Sequence, residues 1–206
     1  MEHVKISVKN SKLGRIPNIS LVPVESCPNS SFCHELCYAR PIYRRFPDTK
    51  AAWDRNWEMF QQSPRNYRDS IIYMLKHGKL GTSGLFRWHV GGDIPNQEYV
   101  GVMTEVADAF PEVSFLAFTK AYSMDYSGIL DNMHIVYSAW AGMPISTDFP
   151  IAYVKELDNR GEDHEIVYDC VGDCRSCRQC WEAEKGSAIN LHLHGTKAKK
   201  ILSNLS

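Results

Sequence analysis

The chain has 206 residues, 44% of them hydrophobic and 23% charged, which are values of a folded globular chain and exclude wholesale disorder. Its 23 Lys and Arg against 24 Asp and Glu leave a net charge of −1, so bulk charge announces no polyanion-binding surface and nucleic acid is not an expected partner. No apolar run reaches the roughly 18–20 residues of a membrane span. None follows Met1 as a secretion signal would, so a soluble protein in a reducing, cytoplasmic compartment is expected.

Residues 18–24 read as a short apolar strand that delivers Cys27 into a loop also carrying Cys33 and Cys37. Pro47-Asp48-Thr49 opens a helix in which Trp53, Trp57 and Phe60 recur at i, i+4 and i+7, a stripe read as core packing. Ser63 is the cap of the next helix, with Pro64 at its first position, Tyr67, Ile71 and Met74 on its buried face and Gly78 as its stop. A strand over 85–90 ends at Gly91-Gly92-Asp93. After Pro95-Asn96 comes an amphipathic helix with Tyr99, Met103, Val106 and Phe110 on one face. Further strands are expected over 113–118, ending at Thr119-Lys120, and over 134–137, ending at Ser138. Short runs over 151–154, 165–168 (delivering Cys170) and 188–193 complete the set, and a basic helix over 197–202 ends the chain.

The seven cysteines form two groups, Cys27, Cys33 and Cys37 in one and Cys170, Cys174, Cys177 and Cys180 in the other. An odd number argues against a closed disulfide framework, and clustering in a reducing compartment points to metal. Buried apolar cysteines, the plain alternative, would scatter singly. Cys174-x2-Cys177-x2-Cys180 has the tight spacing of bacterial ferredoxins, in which successive thiolates wrap one face of a cubane, with Cys170 or a remote group as fourth ligand. Soft thiolates also suit zinc, whose ribbons usually separate two Cys pairs more widely. Three cysteines without a local fourth would leave one iron of a 4Fe–4S cluster open to a ligand. The alternative is that the second group completes the first, giving a single cluster.

The alternation of strand and helix implies βαβ units and a parallel sheet, an α/β fold of six or seven strands forming a partial β/α barrel. In such folds the chemistry collects at the carboxyl ends of the strands, where Cys27, Asp93, Lys120, Ser138 and Cys170 all fall. Residues 1–169 are read as the barrel and 170–206 as a Cys-rich auxiliary segment and tail of the same globule. Lys120 reads as a buried cation for a carboxylate or phosphate, or else as a surface lysine. His89 reads equally as a core histidine or as a substrate contact facing the barrel interior, and His192 and His194 as polar barrel lining, with metal ligation by that pair as the alternative. Lys197, Lys199 and Lys200 read as a solvated helix face.

A Cys-rich loop after the first strand and a Gly-Gly-acid turn after a later one resemble the radical S-adenosylmethionine (SAM) superfamily. That resemblance implies a 4Fe–4S cluster on Cys27, Cys33 and Cys37, with SAM on the open iron and the methionine amino group at Gly91-Gly92-Asp93, where Asp replaces the usual Glu. It implies reductive SAM cleavage by an external electron donor and hydrogen abstraction by a 5′-deoxyadenosyl radical from a small-molecule substrate. The loop departs from the superfamily's C-x3-C-x2-C spacing and has Leu36 where an aromatic precedes the last cysteine. The chain is more closely similar to the phage "gene product 88" family of radical-SAM-like iron–sulfur proteins, which would place it in a host cytoplasm. The matching segments are Ser11 to Pro17, Cys27-Pro28 through Cys37-Tyr38-Ala39, Phe46-Pro47, His89 to Asp93 and Cys174 to Trp181. Two functional classes follow: a radical SAM enzyme, or a non-catalytic iron–sulfur or zinc protein serving electron transfer, redox sensing or structure.

Overall fold

The computed structural model describes residues 2–29, 33–34, 37–79, 84–140, 143 and 145–193. Its strands are β1 (Asn18–Ile19), β2 (Leu85–Trp88), β3 (Ser114–Thr119), β4 (Met133–Ser138), β5 (Ile151–Val154), β6 (Val167–Asp169) and β7 (Ala188–Leu191). All pair in parallel, in one seven-stranded sheet of order β1-β2-β3-β4-β5-β7-β6. The protein is therefore α/β. From β1 to β5 each new strand joins the same growing edge, and right-handed crossovers then carry the connections over one face.

That face holds the long helices. α1 (Ala39–Arg45), α2 (Pro47–Gln62) and α3 (Pro64–Met74) follow β1, and α4 (Gln97–Asp108) follows β2. Ser63 Oγ accepts from Asn66 N (3.2 Å) and Asn96 Oδ1 from Tyr99 N (3.0 Å), so α3 and α4 begin where their capping side chains satisfy otherwise orphaned amides. Phe60, Tyr67, Ile71, Tyr99 and Met103 pack on Ile19, Phe86, Trp88, Phe115 and Ile135 of the sheet. The alternate residues Leu85, Leu116, Val136, Ala152 and Ile189 face the other way. They are covered by Leu13 and Ile16 of the amino-terminal segment and by Trp181 of α5 (Gln179–Glu182).

Several expectations are corrected in detail. β1 is only two residues long, and the chain beyond it meets Pro23, which cannot donate to a ladder, and turns at Val24, whose φ is 76°. β2 stops at Trp88 because His89 takes φ 53°. α1 was not expected. Its Tyr38, Ile42 and Phe46 repeat lies exposed, and Pro41 interrupts any simple pattern. β3 leads to β4 without a helix, so strand and helix alternate less regularly than the sequence implies. β7 enters between β5 and β6, so the carboxyl-terminal segment contributes to the interior of the sheet. The amino-terminal segment blunts the β1 edge through reciprocal Ser7–Asn18 backbone bonds of 2.8 Å. The basic helix at 197–202, with Lys197, Lys199 and Lys200, and also His194 and Leu36, lie outside the described residues. Among the described residues no helix is long and apolar enough to cross a membrane.

Candidate metal centre

The carboxyl ends of β1 and β2 are stitched together by two serines. Ser20 Oγ accepts from Val90 N (3.1 Å) and Gly91 N (3.2 Å), and Leu21 N donates to Gly91 O (2.9 Å). Ser26 Oγ accepts from Asp93 N (3.4 Å) and donates to Val22 O (2.8 Å). The segment leading to Cys27 is thereby held against the Gly91-Gly92-Asp93 turn. Gly91 lies under the Trp53 indole, where a Cβ would come within 2.5 Å of the ring. Gly92 takes φ +83° and abuts Leu21 and Ser26, so both the conformation and the close approach require glycine.

Asp93 is buried, and its carboxylate is engaged within the protein. Oδ1 accepts from Thr119 Oγ1 (2.6 Å) and Ile94 N (2.7 Å), and Oδ2 accepts from Lys120 N (2.9 Å). The turn after β2 is thus fastened to the end of β3. Burial pushes the Asp93 carboxyl up, against the stabilising effect of these donors. The Lys120 backbone carbonyl accepts from Asn29 Nδ2, which brings the Cys loop to the same place. The Ser138 carbonyl, at the end of β4, accepts from the Tyr122 hydroxyl.

Cys27 lies within electrostatic reach of Asp93, Cys33 and Cys37, and Cys33 within reach of Lys120, Cys37 and Asp93. Burial, with the Asp93 charge second, pushes the Cys27 thiol up to about 12. Burial also raises Cys33, and the Lys120 ammonium opposes it. Such thiols stay protonated at neutral pH until a cation replaces their protons. His89 is elsewhere. It is buried on the helix side of the sheet, its Nε2 3.0 Å from the Tyr99 hydroxyl and its Nδ1 without a partner.

The second group forms its own loop beneath the opposite face. Cys170, Cys174, Cys177 and Cys180 border one small cavity together with Tyr168, Trp181 and Ile189. Cys170 N donates to Asn190 O (2.9 Å) of β7, and Cys174 N to Lys12 O (3.0 Å) of the amino-terminal segment. Trp181 Nε1 donates to Ser114 O (3.1 Å) and Phe86 O (3.3 Å), fixing α5 across β2 and β3. Burial raises Cys174, and it raises Cys180 to about 12; the charge of Arg87 opposes both shifts. His192 Nδ1 stands 3.1 Å from Glu156 Oε1.

Among the described residues no three His, Cys, Asp or Glu side chains already stand at the separations of a metal's ligands. The donor chemistry nevertheless fits a thiophilic centre. Four thiols share one cavity in the carboxyl-terminal loop, and three share the mouth beside a lysine. The sequence singles out the cysteines, Gly91, Gly92, Asp93, Lys120 and Ser138 as candidates. It does not single out Ser20, Ser26, Thr119 and Tyr122, which bond around these strand ends and whose only signal is adjacency to them, or Arg87, a lone charge inside an apolar strand.

Fold and site together define a parallel α/β protein with a thiol-rich strand-end mouth and a second thiol loop packed under the sheet. The model of the Gene product 88 family matches residues 3–169, and the chain belongs to that family. The match ends just before Cys170, so the second cysteine group lies beyond it. Neither the curated proteins nor the solved structures contain a match.

Proposed function

We propose that the protein is an iron–sulfur protein of radical SAM type with a partial β/α barrel. In this reading Cys27, Cys33 and Cys37 hold a 4Fe–4S cluster with one open iron, and Gly91, Gly92, Asp93, Lys120 and Ser138 surround SAM. The observation that carries it is the meeting of the three-cysteine loop with Asp93 and Lys120 at the carboxyl end of one parallel sheet. When bound, the cluster would supply one electron for reductive SAM cleavage and subsequent hydrogen abstraction. The chain's own part is to position and shield. Lys120 offsets thiolate charge at Cys33, the serine stitches hold the loop against the glycine turn, and Tyr122 braces the end of β4. An external one-electron donor is required.

A second, non-catalytic reading rests on its own observation. The Asp93 carboxylate already accepts three protein hydrogen bonds, and the space beside Gly91 and Gly92 is filled by Trp53, Leu21 and Ser26. A turn so occupied serves the fold, with the clusters or zinc acting in electron transfer, sensing or structure. EPR of the reduced, anaerobically purified protein with and without SAM separates the two. The enzyme reading expects a SAM-dependent change that Asp93→Ala weakens while the cluster remains. A spectrum indifferent to SAM leaves the non-catalytic reading.

A further inference from the structure

Arg87 is a charged residue in an otherwise apolar strand, Leu85-Phe86-Arg87-Trp88, at the second position of the sheet. Phe86 and Trp88 point into the helix-side core. Arg87 points the other way. Its guanidinium stacks 4.2 Å from the centre of the Phe118 ring, and its Nε donates to Trp88 O (3.0 Å). Phe118 and Leu85 belong to the same packed face as Cys170, Cys174, Cys180 and Trp181. Cys180, Cys174 and Cys170 all lie within its electrostatic reach, as does Tyr38 beside the amino-terminal cysteine loop.

Four thiolates on zinc, or on a 4Fe–4S core in its oxidised resting state, leave the centre with net negative charge. Holding such a charge under a sheet is unfavourable without a compensating cation. Burial pushes the Arg87 guanidinium down from its very high ordinary value, the nearby cysteine charges oppose that shift, and its plane is held by the Phe118 face. We propose that Arg87 is the positioning counter-cation of a four-cysteine centre formed by Cys170, Cys174, Cys177 and Cys180, setting that centre's metal affinity and reduction potential. This rests on the reading that those cysteines hold metal.

The experiment uses full-length protein carrying an iron–sulfur cluster, titrated with dithionite and followed by EPR. The carboxyl-terminal signal is identified as the one lost in Cys174→Ser. Reduction adds one negative charge, so removing the guanidinium disfavours it. Arg87→Met is expected to lower the equilibrium constant for reduction about tenfold, a midpoint roughly 59 mV more negative. Arg87→Lys is expected to restore most of the shift, which a purely structural role would not predict. Should Arg87→Met not fold, Arg87→Gln against Arg87→Lys provides the same contrast. An unmoved midpoint in a variant that keeps the signal overturns the role of Arg87 and leaves the cluster standing. If Cys174→Ser removes no signal, and zinc added to the metal-free protein does not protect these four cysteines from alkylation, the centre itself falls and the proposal with it.

Discussion

His89 shows how one residue can be legible in chemistry and illegible in place. Its position two residues before the glycine turn puts it near the mouth in sequence. A backbone φ of 53° instead swings it into the core against Tyr99. Burial, with the Arg87 charge second, pushes its imidazole down to about 3 from an ordinary 6.5. The native protein therefore keeps His89 neutral while the unfolded chain takes up a proton below about 6.5. Its contribution to stability is complete above that pH and is lost as the pH falls towards 3. Unfolding by urea should show about 2 kcal/mol less stability from this group at pH 5 than at pH 7. His89→Asn, which tolerates the same backbone, should lack that pH-dependent part. Gly91 makes a second case at this scale. An added methyl would meet the Trp53 ring at 2.5 Å, so Gly91→Ala should cost about 1–3 kcal/mol in the same assay.

The elements differ in what holds them. α2, α3 and α4 carry periodic apolar faces, opened by Pro47 in α2 and by the capping Ser63 and Asn96 in α3 and α4, and each is legible from the sequence. α5 is only Gln179–Glu182 and has no such signal, yet it carries Trp181, 3% exposed, across β2 and β3. The four-residue helix stands because its indole is buried on Leu116 and Val136 and donates to two strand carbonyls. Trp181→Ala should therefore destabilise by about 3–5 kcal/mol in equilibrium unfolding. Trp181→Phe should lose less, since it keeps most of the packing and forfeits the hydrogen bonds. Equal losses in the two variants would show that the hydrogen bonds dominate.

Across the whole molecule, metal binding and folding are expected to be coupled at the carboxyl-terminal loop. Cys170 is tied to β7 and Cys174 to Lys12 of the amino-terminal segment, so a centre on these cysteines would join two ends of the chain over one face of the sheet. Protein made anaerobically should be brown and contain iron and acid-labile sulfide. Chelation, or Cys174→Ser, should raise amide hydrogen exchange in residues 10–16 and 167–191 while leaving α2 to α4 protected. Loading should weaken as pH falls, because protons compete for thiols such as Cys180, which burial pushes up to about 12. A colourless protein with stoichiometric zinc would keep the coupling and remove the iron–sulfur assignment.

Local spacing carried the two cysteine groups, the Gly-Gly-acid turn and the strand ends that present Asp93, Lys120 and Ser138, because each is a matter of neighbours in the chain. The α/β class was legible for the same reason, since periods of two and of 3.6 residues are local properties. What the folded molecule added is non-local. β7 lies inside β6 because a strand's place depends on which edge its apolar faces can reach, and no nearby residue records that. The glycine turn is fastened to β1 and β3 by Ser20, Ser26 and Thr119, ordinary residues until the sheet brings them together. Arg87 is an anomaly in an apolar strand until its far face proves to be the one that three of the carboxyl-terminal cysteines pack against. Burial and partners, which decide the charge state of His89, Asp93 and Cys27, exist only once distant segments meet and exclude water.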